Sequence, residues 1–315
     1  MTLWDVDLDK ATNTRLTQMD YYCYRIFERQ DEYSTILRGG MLFQEFMVDA
    51  WAATEQNRLG YIKREQTKLR AQNYKGFADL GLSGNKPDEM GQPVILPSSF
   101  IGGPRHMYEI YQDSMGITRY NHHPDIFLTM TANPRWEEIT NSLLSHQQPH
   151  ERPDLIARVF ELKRKALMKE IQQKKVFGKT VGHVYTIEFQ KRGLPHMHAL
   201  IFLEKADKIH TPEQVDNVLC AEFPDEDKDL ALFETIQKCM VHGPCGARKP
   251  NALCMNDGRC TKNYPKQYAE STSLGDGGYP VYRRRNDGRV FRYRNHLYTN
   301  IDVVPYNPYL TRMFN

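Results

Sequence analysis

Two histidines separated by one methionine, and followed directly by an apolar run, constrain the fold of this chain more than any other feature. The run covers residues 192–203, RGLPHMHALIFL, and its Gly-Pro turn before apolar residues predicts a β-strand. Side chains at positions i and i+2 of a strand point to the same face. We therefore expect His196 and His198 to project together while Met197 faces the core. Two imidazoles placed in this way can hold one metal ion.

A second strand is expected immediately upstream, over residues 184–190, VYTIEFQ. The short polar turn between the two strands predicts an antiparallel hairpin. This hairpin would place Glu188 or Gln190 beside the histidine pair as a third metal ligand. The alternative interpretation is that both histidines are ordinary strand residues, partly exposed or hydrogen-bonded, and a carboxylate on the adjacent strand gives the metal site equal weight with it.

The composition is that of an ordinary globular protein. The chain has 315 residues, of which 40% are hydrophobic and 26% charged. No apolar run approaches the roughly 18 residues needed to cross a bilayer, and residues 1–7 lack the basic and apolar regions of a secretory signal. We therefore expect an intracellular protein without a membrane partner. The net charge of +3 is too small to indicate nucleic-acid binding by itself.

The order of the expected elements predicts an α+β fold with a central antiparallel sheet and flanking helices. Helices are expected in much of residues 1–80, at 154–173 and at 212–220, and a strand at 125–134 would place Phe127, Thr129 and Thr131 on one face. We expect four segments: a mainly helical region at 1–97, a sheet-containing core at 98–235, a Cys/His segment at 236–268 and a basic C-terminal part at 269–315.

One short stretch, Gly178-Lys179-Thr180, is similar to the end of a nucleotide-binding P-loop. The first glycine of that motif would fall at Gln173, inside a predicted helix, and no strand precedes it. Nucleotide binding is therefore not expected.

Cysteines concentrate in a short C-terminal stretch, which indicates a metal site in a reducing compartment. A tetrahedral Cys₃His zinc site needs closely paired ligands joined by a loop. The predicted structural zinc ligands are His242, Cys245, Cys254 and Cys260. The spacing between Cys254 and Cys260 is longer than usual, so Cys239 is an alternative ligand and Cys220 a weaker one.

Residues 279–294, YPVYRRRNDGRVFRYR, combine aromatic residues with six arginines. The sequence Asn286-Asp287-Gly288 predicts a β-hairpin turn between two arms. Aromatic faces and guanidinium groups that alternate along strands suit single-stranded nucleic acid, although a charged edge strand would show the same pattern. The predicted DNA contacts are Arg283, Arg284, Arg285, Arg289, Arg292 and Arg294.

Several ordered segments resemble the N-terminal Rep-like domain of Helitron transposases, within the HUH endonuclease superfamily. They are residues 100–105 (FIGGPR), 127–136 (FLTMTANPRW), 188–198 (EFQKRGLPHMH), 242–245 (HGPC) and 303–309 (VVPYNPY). The resemblance extends from about Tyr21 to Asn315 and implies an HUH Rep/relaxase-like core.

The resemblance also implies a chemistry. In HUH enzymes two histidines and a polar third ligand hold Mg²⁺ or Mn²⁺ against the scissile phosphate of single-stranded DNA, which here assigns His196, His198 and Glu188. A tyrosine then attacks to form a 5′-phosphotyrosine and a free 3′-hydroxyl, so that strands are nicked and joined in rolling-circle transposition. A nuclear location follows from this role.

The chain departs from the family pattern at its C-terminal end. In Helitron proteins the nucleophilic tyrosines lie on a helix downstream of the segment that contains Tyr306 and Tyr309, and a helicase normally follows. We expect both to be absent here. Tyr306 and Tyr309 are the nearest substitutes, but the surrounding prolines argue against a helical presentation, and we do not expect them to be catalytic. The prediction is a Rep-like domain inactive alone, or alternatively a non-catalytic zinc-containing single-stranded DNA-binding module.

Overall fold

The computed structural model describes residues 16–29, 32–69, 94–190, 193–275, 279–293 and 295–314. Within these residues the fold is α+β, as predicted, with eight α-helices and small antiparallel sheets. The helices are α1 (Gln18–Arg25), α2 (Met41–Arg64), α3 (Pro104–Asn121), α4 (Glu137–Thr140), α5 (Pro153–Gln172), α6 (Pro212–Val218), α7 (Leu230–Cys239) and α8 (Pro308–Phe314). The strands are β1 (Ile126–Thr131), β2 (Thr180–Phe189), β3 (Pro195–Leu203), β4 (Met255–Asn256), β5 (Arg259–Cys260), β6 (Ser273–Leu274), β7 (Pro280–Val281), β8 (Phe291–Tyr293) and β9 (His296–Tyr298).

The chain forms two compact units. The first consists of Met1–Leu162 and Gly182–Phe202, and the second of Lys163–Val181 and Leu203–Asn315. The four segments expected from the sequence are a finer division, which these units do not test. No helix in the described part of the chain is both long and apolar enough to cross a membrane.

Helices α1 and α2 lie in the N-terminal region where the sequence predicts helices, and residues 1–15 and 70–80 of that prediction lie outside the described residues. Thr17 caps the start of α1 with a capping box. Its hydroxyl accepts a hydrogen bond from the Asp20 amide, and the Asp20 carboxylate accepts one from the Thr17 amide. Gly40, with a φ of +55°, precedes α2 directly. This left-handed conformation suits glycine and ends the preceding segment before the new helix begins.

A three-stranded sheet in the order β1-β3-β2 forms the centre of the first unit. β1 is antiparallel to β3, with Thr129 opposite His198 and Thr131 opposite His196. The connection between β2 and β3 is too short for a parallel crossover, so these strands form the expected hairpin. Met197, Ala199 and Ile201 of β3 are fully buried on one face of the sheet. The other face carries Phe127, Thr129, Thr131, Glu188, His196, His198 and Leu200, and we call it the histidine face.

The core of the second unit lies around α7. A buried cluster joins this helix to the segments that precede and follow it, and its members are Phe223, Leu232, Phe233, Ile236, Tyr298, Val303 and Tyr306. Val241, just before the Cys/His segment, packs against this cluster and pairs with Val303 in an isolated β-bridge. The chain is therefore held in place on both sides of the Cys/His segment.

The predicted arginine hairpin is not formed. β7 pairs with β6, and β8 pairs with β9, so the two arms on either side of Asn286-Asp287-Gly288 have different partners. The backbone of Arg284 pairs instead with Ala269. Local turn chemistry favours a hairpin here, but strand partners elsewhere in the unit compete successfully for the same backbone groups.

Candidate metal centres

Two groups of side chains among the described residues could hold a metal ion. The first is Glu188, His196 and His198 on the histidine face, and one ligand atom of each lies within 4.8 Å of the others. Nε2 of His198 lies 3.0 Å from Oε1 of Glu188, and the two imidazole rings are 4.4 Å apart between centroids. The Glu188 and His198 side chains are 61% and 36% exposed, so a ligand can reach the group from solvent.

Strand alternation and pairing together explain why these three side chains meet. His196 and His198 flank Met197, whose burial directs both imidazoles to the opposite face. The hairpin brings Glu188 beside them, whereas the backbone of Gln190 closes the turn by hydrogen bonds with Gly193 and Leu194. The structure therefore brings Glu188 to the histidine pair and places the alternative, Gln190, at the turn.

A hydroxyl orients one of the imidazoles, and an aromatic ring lies against the other. The hydroxyl of Thr131 lies 2.6 Å from Nδ1 of His196, which leaves Nε2 of that ring for another ligand. The ring of Phe127 lies nearly parallel to that of His198, with 5.7 Å between centroids. Nδ1 of His198 is buried and has no hydrogen-bond partner in the described structure. Nε2 of the same ring faces Glu188, so it is the nitrogen that can share a metal ion with that carboxylate.

The donor set fits a divalent cation. Burial lowers the pKa of His196, and the neighbouring His198 lowers it further, while Glu188 opposes both effects. A lowered pKa keeps the imidazole neutral near neutral pH, which is the form that binds metals. The two imidazole nitrogens suit a borderline ion such as Zn²⁺, and the carboxylate suits the harder Mn²⁺ and Mg²⁺.

Replacing Thr131 by valine is expected to weaken Mn²⁺ binding at this group by about tenfold, because the hydroxyl that orients His196 is lost. Titration calorimetry with Mn²⁺ would measure the change. Thr131→Ser keeps the hydroxyl and should bind Mn²⁺ as wild type does. Thr129→Val is the matched control on the same strand and face. Equal losses in Thr131→Val and Thr129→Val would contradict the orienting role.

The second group lies in the second unit and consists of His242, Cys245, Cys254 and Cys260, again with ligand atoms within 4.8 Å of one another. These are the four zinc ligands predicted from the sequence. Sγ of Cys260 lies 3.3 Å from Nε2 of His242, and Cys245 is only 1% exposed. Cys239, the alternative ligand, lies exposed at the end of α7, outside the group.

A small hairpin closes the long spacing between Cys254 and Cys260. β4 and β5 pair Met255 with Cys260, and the turn between them contains Asp257 and Gly258, both with positive φ. Positive φ at both central residues is typical of the tight turns that join two strands. The spacing is therefore compatible with one tetrahedral site.

The thiols of this group interact strongly. Burial, together with the neighbouring Cys260 and Cys254, raises the pKa of Cys245 to about 12. Burial acts in the same direction on Cys260, but hydrogen bonds from backbone amides, including that of Lys262, lower its pKa. Amide N–H groups directed at a sulfur stabilise the thiolate, which is the form that binds zinc.

The sequence model described as "Helitron helicase-like domain at N-terminus" matches residues 21–201. The chain belongs to this family. The matched region includes Glu188, His196 and His198, the three candidate ligands on the histidine face, and membership supports a role related to Helitron transposases. The Cys/His group lies outside the matched region of the Helitron-like family. No curated protein matches the chain.

The arginines predicted to contact DNA in this Helitron-like chain differ in their exposure to solvent. Arg284 is 3% exposed, and its guanidinium donates hydrogen bonds to the backbone carbonyls of Ala221, Asn300 and Val303. It stabilises the second unit and is not available at the surface, so the prediction of a DNA contact there is wrong. Burial lowers its pKa.

The other arginines lie nearer the surface. Arg285 and Arg283 form ion pairs with the buried carboxylate of Glu222, and Arg289 pairs with Asp287. Arg292 is exposed on β8, and Arg294 lies outside the described residues. Glu222 was not singled out in the sequence, because a single glutamate far from the arginines in the chain gives no local signal. The pairing shows that much of this positive charge is already neutralised.

Replacing Glu222 by glutamine is expected to destabilise the second unit by about 2 kcal/mol. Removing one partner of a fully buried ion pair lowers the free energy of unfolding by about 3–5 kcal/mol. The loss expected here is smaller, because Arg285 is half exposed and solvent screens the interaction. Burial alone would raise the pKa of Glu222, but hydrogen bonds and charge from Arg285 lower it. A lowered carboxyl pKa stabilises the fold above the unfolded value of about 4.3 and ceases to do so as pH falls through the folded value. Urea unfolding at several pH values would measure the free energy of unfolding of wild type and of Glu222→Gln, and the two values should converge in acid. A difference between them that stays constant with pH would contradict this account.

Neither C-terminal tyrosine is presented as a free nucleophile. Tyr306 is buried, its hydroxyl donates a hydrogen bond to the Glu222 carbonyl, and burial strongly raises its pKa. Tyr309 does lie on a helix, contrary to the expectation from the prolines, because Pro308 occupies the first position of α8, where proline is tolerated. Its hydroxyl donates to the Glu170 carboxylate, which raises its pKa.

Proposed function

We propose that this chain is an HUH-type Rep domain that binds single-stranded DNA with a phosphate at the Glu188, His196 and His198 group. The observation that carries this proposal is the convergence of two imidazoles and one carboxylate on the histidine face, within the region matched by the family. The role places the chain with DNA in rolling-circle transposition, and so in the nucleus.

The residues of the histidine face can perform the first part of the reaction. Glu188, His196 and His198 would hold Mg²⁺ or Mn²⁺, and Thr131 orients His196 for this purpose. A divalent cation held there supplies Lewis-acid polarisation of a phosphodiester oxygen. The open face leaves room for the phosphate beside the ligands, since Glu188 is mostly exposed.

We do not assign the nucleophile to Tyr306 or Tyr309. Both have raised pKa values and hydroxyls already engaged with Glu222 and Glu170 respectively. An attacking tyrosine must lose its proton, and each of these contacts opposes that loss. We therefore propose that the chain binds single-stranded DNA with a metal but does not by itself form the covalent intermediate.

The test uses end-labelled single-stranded DNA with the full chain. Fluorescence anisotropy should show tighter binding in Mn²⁺ than in EDTA, with weaker binding of the corresponding duplex. A denaturing gel of the same mixtures should show no covalent adduct. A robust adduct would overturn the assignment of an inactive chain, and equal binding in Mn²⁺ and EDTA would overturn the metal-dependent site.

For the Cys/His group we propose structural Zn²⁺, since three sulfurs and one imidazole nitrogen are the donors of closed zinc sites. This group also favours a second candidate function, a non-catalytic zinc-containing module that binds single-stranded DNA. Its surface would include the exposed Arg292. Binding that survives His196→Ala and His198→Ala but weakens steeply with salt would support this second function.

A further inference from the structure

One aromatic residue on the histidine face is unusually exposed for its position. Phe127 is 65% exposed, although its neighbour Ile126 is buried on the other side of the same strand. The strand register places Phe127 opposite Leu200 and next to the pair formed by Thr129 and His198. The ring thus lies on the same surface as the metal ligands.

The ring is held parallel to a ligand imidazole. Its plane is tilted by only 9° from that of His198, with 5.7 Å between ring centroids. Offset parallel rings are a favourable aromatic arrangement. The contact restricts the orientation of Phe127 while most of the ring remains in contact with solvent.

Helix α3 limits the open part of the histidine face. A Cβ atom at Gly182 on β2 would lie 3.3 Å from Ile117 of α3 and 3.8 Å from Phe202. Leu200 lies between Phe202 and His198 along β3, so Phe127, opposite Leu200, lies between the part covered by α3 and the three ligands. Phe127 is therefore an exposed aromatic surface next to the position of a phosphate held at the ligands.

We propose that Phe127 is the stacking platform for the nucleobase next to the phosphate bound at Glu188, His196 and His198. This inference rests on the proposed single-stranded DNA site and adds a base-binding position to it. A flat apolar ring beside uncharged Thr129 and Leu200 suits a base better than a phosphate, and stacking tolerates any base because every base has an aromatic face. Phe127 is a substrate-positioning residue.

The experiment places 2-aminopurine at successive positions of a single-stranded oligonucleotide and measures its fluorescence with the full chain in Mn²⁺. One position should be quenched on binding to wild type. Phe127→Leu should lose that quenching and bind about tenfold more weakly, while Phe127→Trp should retain both. Phe189→Leu is the matched control, because Phe189 is 66% exposed but adjacent to Glu188 on β2, and so on the opposite face.

A metal titration without DNA separates stacking from support of the imidazole. Phe127→Leu should bind Mn²⁺ as wild type does; a large loss would show that the ring only holds His198 and would overturn the proposal. Persistent quenching in Phe127→Leu would overturn it as well. If wild type shows metal-dependent binding without any quenched position, this inference fails and the proposed function stands, whereas failure to bind single-stranded DNA at all rejects both.

Discussion

Replacing Cys245 by serine is expected to remove zinc from the second unit and to lower its unfolding midpoint by about 10 °C. Cys245 is buried among the other three ligands, and a serine hydroxyl is a poor ligand for Zn²⁺. Structural zinc sites contribute about 10–16 kcal/mol in small domains, so a loss of at least about 4 kcal/mol is expected when one ligand is removed. At the size of this unit, that loss corresponds to the stated change in midpoint.

Zinc content by mass spectrometry and thermal unfolding by circular dichroism would measure both effects. Cys239→Ser is the control, since Cys239 is exposed at the end of α7 and lies outside the group. This variant should keep its zinc and its unfolding midpoint. Loss of zinc from Cys239→Ser with retention in Cys245→Ser would show that the ligand set differs from the one in the structure.

Replacing both His196 and His198 by alanine is expected to weaken Mn²⁺ binding by more than about 100-fold. Loss of an orienting neighbour alone costs roughly 10- to 100-fold, and this variant removes two ligands directly. Only Glu188 would remain, and its carboxylate is largely exposed and well hydrated. Single-stranded DNA binding in Mn²⁺ should then fall to the level that wild type shows in EDTA, as measured by calorimetry and anisotropy on the same samples.

His183→Ala provides the matched control for this second prediction. His183 lies on β2 at an odd-numbered position, so its side chain points away from the face that carries Glu188. It stacks on Tyr185, and its loss should leave both Mn²⁺ and DNA binding unchanged. If His183→Ala reduced metal binding as much as the double variant does, the ion would have to bind elsewhere.

The largest elements of the fold could be predicted from local sequence patterns. The apolar periodicity indicates α2 and α5, and the Pro-rich entry followed by apolar residues indicates β3. The α+β class follows from the order of these elements. The strand pairs near the C-terminus could not be predicted, because two- and three-residue strands have almost no periodicity and their partners are chosen by packing.

The candidate sites show the same division. The members of the Cys/His group could be predicted from residue type and spacing, but only the β4–β5 hairpin shows how Cys254 and Cys260 meet without Cys239. The arginine-rich pattern predicts an exposed surface, yet Arg284 is buried and Arg285 pairs with Glu222, 63 residues away in the chain. The local pattern of charges in a sequence does not show which opposite charges from distant residues will lie beside it in the folded protein.

The shared face of His196 and His198 follows from the sequence of one strand, because side-chain alternation is a property of the extended backbone and needs no partner. The residues around the two imidazoles depend on how the strands pair. Glu188 is close because a hairpin places β2 beside β3, and Thr131 and Phe127 are close because β1 pairs with β3 in one register. That register joins residues about 70 positions apart, and burial of Met130 and Met197 on the opposite face favours it over a one-residue slip.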